Sequence, residues 1–375
     1  MKSVKRTTYR REGLLMKNKK YVTVLFLMIL SMMLVTNTFD DFIAQADVSW
    51  DQSEAQSLSF DNEEENASDQ EAVHTDQTIQ KANPAQRNHQ LMNIQSAWAD
   101  GYTGKGVNVA ILDTGFHADH PEIHFAGGTS IYEDDPWTND HTGHGTHIAG
   151  IIGAKSGTEF QGIAPDVNLY GVKIYHRNHV DENGAPYTSI DSIVKGIYAA
   201  IELNAQIIVI SSGVPTDNPS LHQAVKAATN SGALIFAAGG NNAHSVQYPA
   251  AYDEVIAVAS VDQNIAPASD LTAGPENDFV APGVDIGGLS TPGSAYGYPH
   301  IYMSGSSQAA PHVAGLAALL VQKNHYSTNA ALNELNQSAI AQGDSAIYGK
   351  GLAHYQSKNK KTLVAKHEES HTEGL

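Results

Sequence analysis

Short apolar runs alternate with helical patterns through the middle of the chain. VNVAILD at 107–113, NLYGVKIY at 168–175, AQIIVISS at 205–212, ALIFAA at 233–238 and VIAVASV at 255–261 are apolar runs of strand length. Such runs mark strands buried on both faces, because a half-exposed strand alternates apolar with polar. Between them, 144–154, 190–203 and 218–231 carry apolar residues at three- and four-residue spacing, and AAPHVAGLAALLVQK at 309–323 is a last Ala- and Leu-rich helix. This alternation predicts an α/β fold: a doubly wound, mostly parallel sheet with helices on both faces. No internal repeat interrupts it.

The N-terminus follows other rules. Lys17, Lys19 and Lys20 precede an apolar run from Tyr21 to Val35, and Ala44-Gln45-Ala46 follows. The run is short of the roughly 20 residues of a membrane span. A basic flank, a short apolar stretch and small residues together predict a secretory signal peptide over 1–46, with an uncleaved anchor as the alternative. Met16 is a second candidate start. Residues 47–80 are rich in Asp and Glu, densest at Glu63–Glu64–Glu65, and hold no Lys or Arg. Such a stretch buries too little apolar surface to offset its ordering entropy. The chain therefore divides into 1–46 signal, 47–85 acidic prosegment or linker, 86–357 folded domain and 358–375 polar tail. The predicted destination is extracellular, with no membrane contact once the signal is removed.

Composition removes several functions. The net charge of −18, with few basic clusters, argues against a nucleic-acid partner. With no cysteine, thiol catalysis and disulfides are excluded. An apolar content of 41% suffices for a packed core. Oligomeric state is not legible.

Three segments carry chemistry: AILDTGF around Asp113, HGTHIAG from His144 and GSSQAAPHVAG around Ser307. Taken alone, Asp113 reads as a strand-end cap of a turn, and Ser307 as a helix N-cap. His141, His144 and His147 recur every three residues, so a zinc cluster has to be weighed, but glycines interrupt the helix such a cluster needs. Taken together, an acid, a base and a hydroxyl appear in the order Asp, His, Ser. In order and local sequence they resemble the subtilisin-like serine proteases, over residues 88–355.

The resemblance implies a serine endopeptidase with Asp113 as orienter, His144 as general base and Ser307 as nucleophile. ALIFAAGGNN resembles the turn carrying the family's oxyanion asparagine, which implies Asn241, with the adjacent Asn242 as the off-by-one alternative. GSSQAAP stands where the family usually has GTSMAxP, so Ser306 and Gln308 are substitutions, and Gln308 makes the pocket more polar. IIVISSGVP at 207–215 resembles the strand that pairs with substrate, which implies Ser211, Ser212 and Gly213 as binding residues. With Ser212, the residues Asn242, His244 and Gln247 suggest a polar primary pocket and a preference for Glu or Gln before the cut bond; the alternative is that they face solvent and the pocket is apolar. Narrow specificity and an acidic prosegment resemble the leader peptidases that mature lantibiotic-type bacteriocins, so the expected partner is a peptide or protein such as a bacteriocin precursor. A general extracellular degradative protease and a catalytically silent binding scaffold are the other readings. Self-processing at Gln77, Gln80 or Gln86 would fit a Gln preference. Glu122 holds the place of one calcium ligand of the family, but the loop after the histidine helix lacks the others. No metal and no cofactor are expected.

Overall fold

The computed structural model describes residues 84–180, 186–294 and 297–357. The signal-like run, the acidic segment with Gln77 and Gln80, and the polar tail lie outside the described residues.

Two short helices, α1 (Pro84–Leu91) and α2 (Ile94–Ala99), open the described chain. Gln86 falls inside α1. Then follow β1 (Asn108–Asp113), β2 (Phe125–Ser130), α3 (His144–Gly153), β3 (Asn168–Lys173), α4 (Ile190–Glu202), β4 (Ile207–Ile210), α5 (Pro219–Asn230), β5 (Leu234–Ala238), β6 (Ile256–Val261) and β7 (Asn277–Pro282). A hairpin of β8 (Ile286–Leu289) and β9 (His300–Met303) leads to the long α6 (Ser306–Lys323), then α7 (Thr328–Ser338) and α8 (Ser345–Tyr348). Strands β1 to β7 form one sheet in the order β2-β3-β1-β4-β5-β6-β7, every neighbouring pair parallel.

The period-2 geometry of a strand sorts β1 between two cores. Val109 and Ile111 pack with Ile148 and Ile152 of α3 and Val313 and Leu316 of α6. Ala110 and Leu112 pack with Ile193 and Ile197 of α4 and Leu221 and Val225 of α5. Both faces are thus covered, which is why the strand sequences read as unbroken apolar runs. All ten residues of α3 are buried. Truncating Ile148 or Ile152 to Ala would cost about 2–5 kcal/mol.

The five predicted strands and four predicted helices are present, with slightly different ends. Strands β2 and β7, at the two edges of the sheet, and the β8–β9 hairpin were not predicted. FAGGTS of β2 and IGGL of β8 each carry two glycines, and β7 begins with Asn277-Asp278, so none reads as an apolar run.

The chain leaves β1 toward β2 and β3 on one side and returns to β4 on the other. Open α/β sheets form their ligand crevice at such a reversal, beyond the carboxyl ends of the strands. Asp113 ends β1, Ser211 follows β4, and Asn241 lies just beyond β5, so three neighbouring strands deliver them to one edge.

Candidate active site

Asp113 is 1% exposed and His144 5%. His144 Nδ1 donates to Asp113 Oδ1 at 2.8 Å, the only sense in which that nitrogen can bond a carboxylate. The other ring nitrogen, Nε2, is thereby the one left to act as base. Asp113 Oδ1 also accepts the Thr114 N–H at 2.7 Å. Glycine at 145 makes the approach possible: a Cβ there would stand 2.2 Å from the Gly115 carbonyl oxygen and 3.1 Å from Asp113 Cβ.

A residue the sequence did not single out holds this pair in place. Asp140 is 5% exposed. Its Oδ1 accepts from Thr114 Oγ1 (2.9 Å) and from the backbone N–H of Gly143 (3.0 Å) and Thr142 (3.3 Å). Its Oδ2 accepts from the Thr146 N–H (3.0 Å) and Oγ1 (2.6 Å). Asp140 thereby satisfies N–H groups at the start of α3 that no helix can satisfy internally, and it ties that helix to the loop after Asp113. Its signal was weak: a carboxylate four residues ahead of a helix, among Thr142 and Thr146.

Behind the loop, Lys173 at the end of β3 is 1% exposed. Its Nζ donates to the carbonyls of Thr114 and Asn139 and lies 3.4 Å from Asp135 Oδ2. Burial lowers the Lys173 ammonium despite the pull of Asp135 and Asp140. Burial would raise the Asp135 carboxyl, but the Arg177 N–H and the Lys173 charge outweigh it and hold it below its ordinary value.

The three histidines of the HTGHGTH segment point to different partners. His141 lies 3.8 Å from Asp135, and His147 Nε2 donates to the Ile286 carbonyl at 2.9 Å. Burial, with the nearby His144 and His312, pushes His147 down to about 3, so it is a neutral strut between α3 and β8.

Ser307 is half-buried at the start of α6. Its Oγ donates to the Ser211 carbonyl at 3.3 Å, and Ser211 Oγ donates to the Ser307 carbonyl at 3.1 Å. Its own N–H belongs to the first helical turn, where N–H groups face outward. Asn241 stands beside it. Asn241 Oδ1 accepts the Ser306 N–H at 2.9 Å and the Ser306 hydroxyl at 3.0 Å. A backbone N–H can only donate, so the amide is held with oxygen toward Ser306 and Nδ2 turned out. Nδ2 then lies 2.8 Å from where a Cβ on Gly305 would stand. Asn242 is exposed, and its N–H donates to the Asp270 carbonyl at 2.6 Å.

The other pocket candidates separate. Ser212 is buried, with its hydroxyl 2.8 Å from that of Tyr175, which burial pushes upward in pKa. His244 is exposed. Gln247 lies between the two segments flanking the site: a Cβ on Gly213 would stand 2.6 Å from its Oε1, and one on Gly240 3.3 Å from its Cγ. Glu122 Oε1 accepts from His300 Nε2 at 2.9 Å.

Residues 104–354 match the model of the Subtilase family, Peptidase S8. The chain is 41% identical over 267 residues to a Thermostable alkaline protease of Halalkalibacterium halodurans, covering 70% of each. It is 40% identical over 264 residues to Subtilisin BL of Lederbergia lenta, covering 69% of this chain and 93% of that one. It is 36% identical over 305 residues to the Minor extracellular protease Epr of Bacillus subtilis, covering 80% and 45%. Among solved structures, MycP1 with its N-terminal propeptide removed superposes with a TM-score of 0.61 at 28% identity, covering 72% of this chain and 94% of that one.

Proposed function

The chain belongs to the subtilase family of subtilisin-like serine endopeptidases, and from that premise we propose a secreted processing enzyme that cuts after Glu or Gln, using Ser307, His144, Asp113 and Asn241. The observation that carries the catalytic part is the buried 2.8 Å Asp113–His144 pair, taken with a half-buried serine at the start of α6 beside Ser211 and Asn241. Ser307 Oγ attacks the peptide carbonyl carbon and gives its proton to His144 Nε2. Asp113 fixes the tautomer and stabilises the imidazolium. The tetrahedral oxyanion takes hydrogen bonds from Asn241 Nδ2 and the Ser307 N–H. As the C–N bond breaks, its electron pair stays with nitrogen, which receives the proton from His144 and leaves as an amine. Water then attacks the acyl-enzyme with the same histidine as base.

The specificity part rests on Gln247. Its side chain lies against Gly213 and Gly240, and we take the space beside them as the slot for the side chain before the cut bond. A half-buried amide there favours a side chain that pairs with it and disfavours one that leaves it unpaired. Ser211, Ser212 and Gly213 supply the extended backbone beside which the substrate adds as a strand, with Asn242 and His244 at the exposed rim. A leader removed from a bacteriocin-type precursor fits so selective a pocket. Peptide or protein substrates follow from the family; secretion is inferred from the N-terminal signal pattern and from relatives such as the Minor extracellular protease. Those relatives also favour a second reading, general extracellular degradation.

A peptide panel differing only before the cut bond separates the two. Glu and Gln should exceed Phe and Leu in kcat/KM by about tenfold or more. If Phe or Leu wins, the processing specificity is wrong. Ser307→Ala should fold normally and lose turnover by about 10⁶-fold; retained cleavage by that variant would remove the mechanism.

A further inference from the structure

We propose that Gln308 is a catalytic residue whose side-chain carbonyl accepts the N–H of the leaving amine, making the enzyme selective for amide over ester bonds. The proposal rests on the reading of Ser307 as nucleophile.

Gln308 follows Ser307 in α6 and is 1% exposed. Its Nε2 faces the Met303 sulfur at 3.7 Å, a weak acceptor. Its Oε1 is buried with no hydrogen-bond partner. Other buried oxygens, Asp113 Oδ2 among them, also lack a partner, so it is the place of this carbonyl that points to a donor arriving with the substrate. The location identifies the donor. The position of a Cβ on Gly305 is 2.8 Å from Asn241 Nδ2 and 3.3 Å from Gln308 Oε1. One glycine face therefore brings together a donor and an acceptor, two residues before the nucleophile. The tetrahedral intermediate presents the complementary pair: an oxyanion that needs the donor, and a leaving nitrogen that carries an N–H.

That N–H distinguishes an amide from an ester. For the C–N bond to break, the nitrogen must direct its lone pair at the proton on His144 Nε2. Its own N–H then points away from the imidazole and needs an acceptor. Gln308 Oε1 takes this hydrogen bond as the bond electrons pass to nitrogen and His144 delivers its proton. An ester oxygen brings no N–H and makes no use of Gln308.

The test compares a peptide p-nitroanilide with the thiobenzyl ester of the same acyl group, in wild type, Gln308→Met and Gln308→Leu, each normalised by active-site titration with a sulfonyl fluoride. The expected result is a fall of about tenfold in kcat/KM for the anilide, with the ester unchanged within about twofold. An equal fall for both would mean that the side chain serves the oxyanion, and no change for either would make it packing; each overturns the proposal. Ser307→Ala separates this failure from failure of the parent reading: loss of both activities in that variant keeps Ser307 as nucleophile, whereas retained activity removes both.

Discussion

The two sides of the site are built differently. On the proposed acid–base side, Asp113, Asp140 and His144 are almost fully buried, and Asp140 alone accepts at least five hydrogen bonds within the chain. On the side of the proposed nucleophile, Ser307 and Gln247 are half-buried, and Gln308 keeps a carbonyl oxygen unpaired. Folding pairs most of the first side, although Asp113 Oδ2 is also buried without a partner. The second retains the donor and the acceptor that, in the proposals above, a bound peptide satisfies. Errors on the first side should therefore cost both stability and rate, and errors on the second chiefly rate or selectivity.

Short of removing the nucleophile itself, the largest expected effect on rate comes from Asn241. Asn241→Ala removes the proposed oxyanion donor and should lower kcat by about 10²–10³ with KM nearly constant; losing the acceptor of the Ser306 N–H and hydroxyl should cost about 1–2 kcal/mol of stability, less than Asp140→Ala. A matching loss of stability would break the comparison, because Asn241 would then be a structural tie to Ser306 first. Asp140→Ala is the counterpart on the buried side. It leaves several N–H and hydroxyl groups around Thr114 and α3 unpaired and should destabilise by about 3 kcal/mol, with a loss of turnover that Asp140→Asn partly restores. Denaturant unfolding checks the first figure; unchanged stability would contradict the anchoring role. Gln247→Gly is smaller again: opening the slot should shift preference toward Phe and Leu by about tenfold at constant stability.

A pH dependence sharpens the comparison with one histidine from each side. His147 in α3 is pushed down to about 3 and His312 in α6 to about 4, both chiefly by burial. Their ordinary value is near 6.5, so below that pH the unfolded chain takes up protons that the folded chain refuses. Both contributions are fully present above about pH 6.5 and are lost as pH falls toward 4 and then 3. Urea midpoints should therefore fall steadily from pH 7 to pH 4, and a flat profile would mean that these histidines are not held neutral.

Much of this was legible in the sequence. Buried parallel strands announce themselves as apolar runs, and Asp113, His144, Asn241 and Ser307 each sit in a local pattern at a strand or helix end. What was not legible depends on contacts distant in sequence. Asp140 is one acid among many until Thr114 is folded against it. Ser212 is an ordinary hydroxyl until Tyr175, from the neighbouring segment, meets it. Strand β2 is hidden by its glycines and exposed edge, and Gln308 shows its unpaired oxygen only when α6 is packed.

The central claim is that Ser307 is the nucleophile made reactive by the pair behind it. Its most direct test is stoichiometric reaction of the purified enzyme with phenylmethylsulfonyl fluoride, followed by peptide mapping of wild type and His144→Ala. The account predicts one sulfonyl group per chain, on Ser307, in wild type, and labelling slowed by orders of magnitude in the variant. A label on another residue, or equal labelling in both proteins, would contradict it.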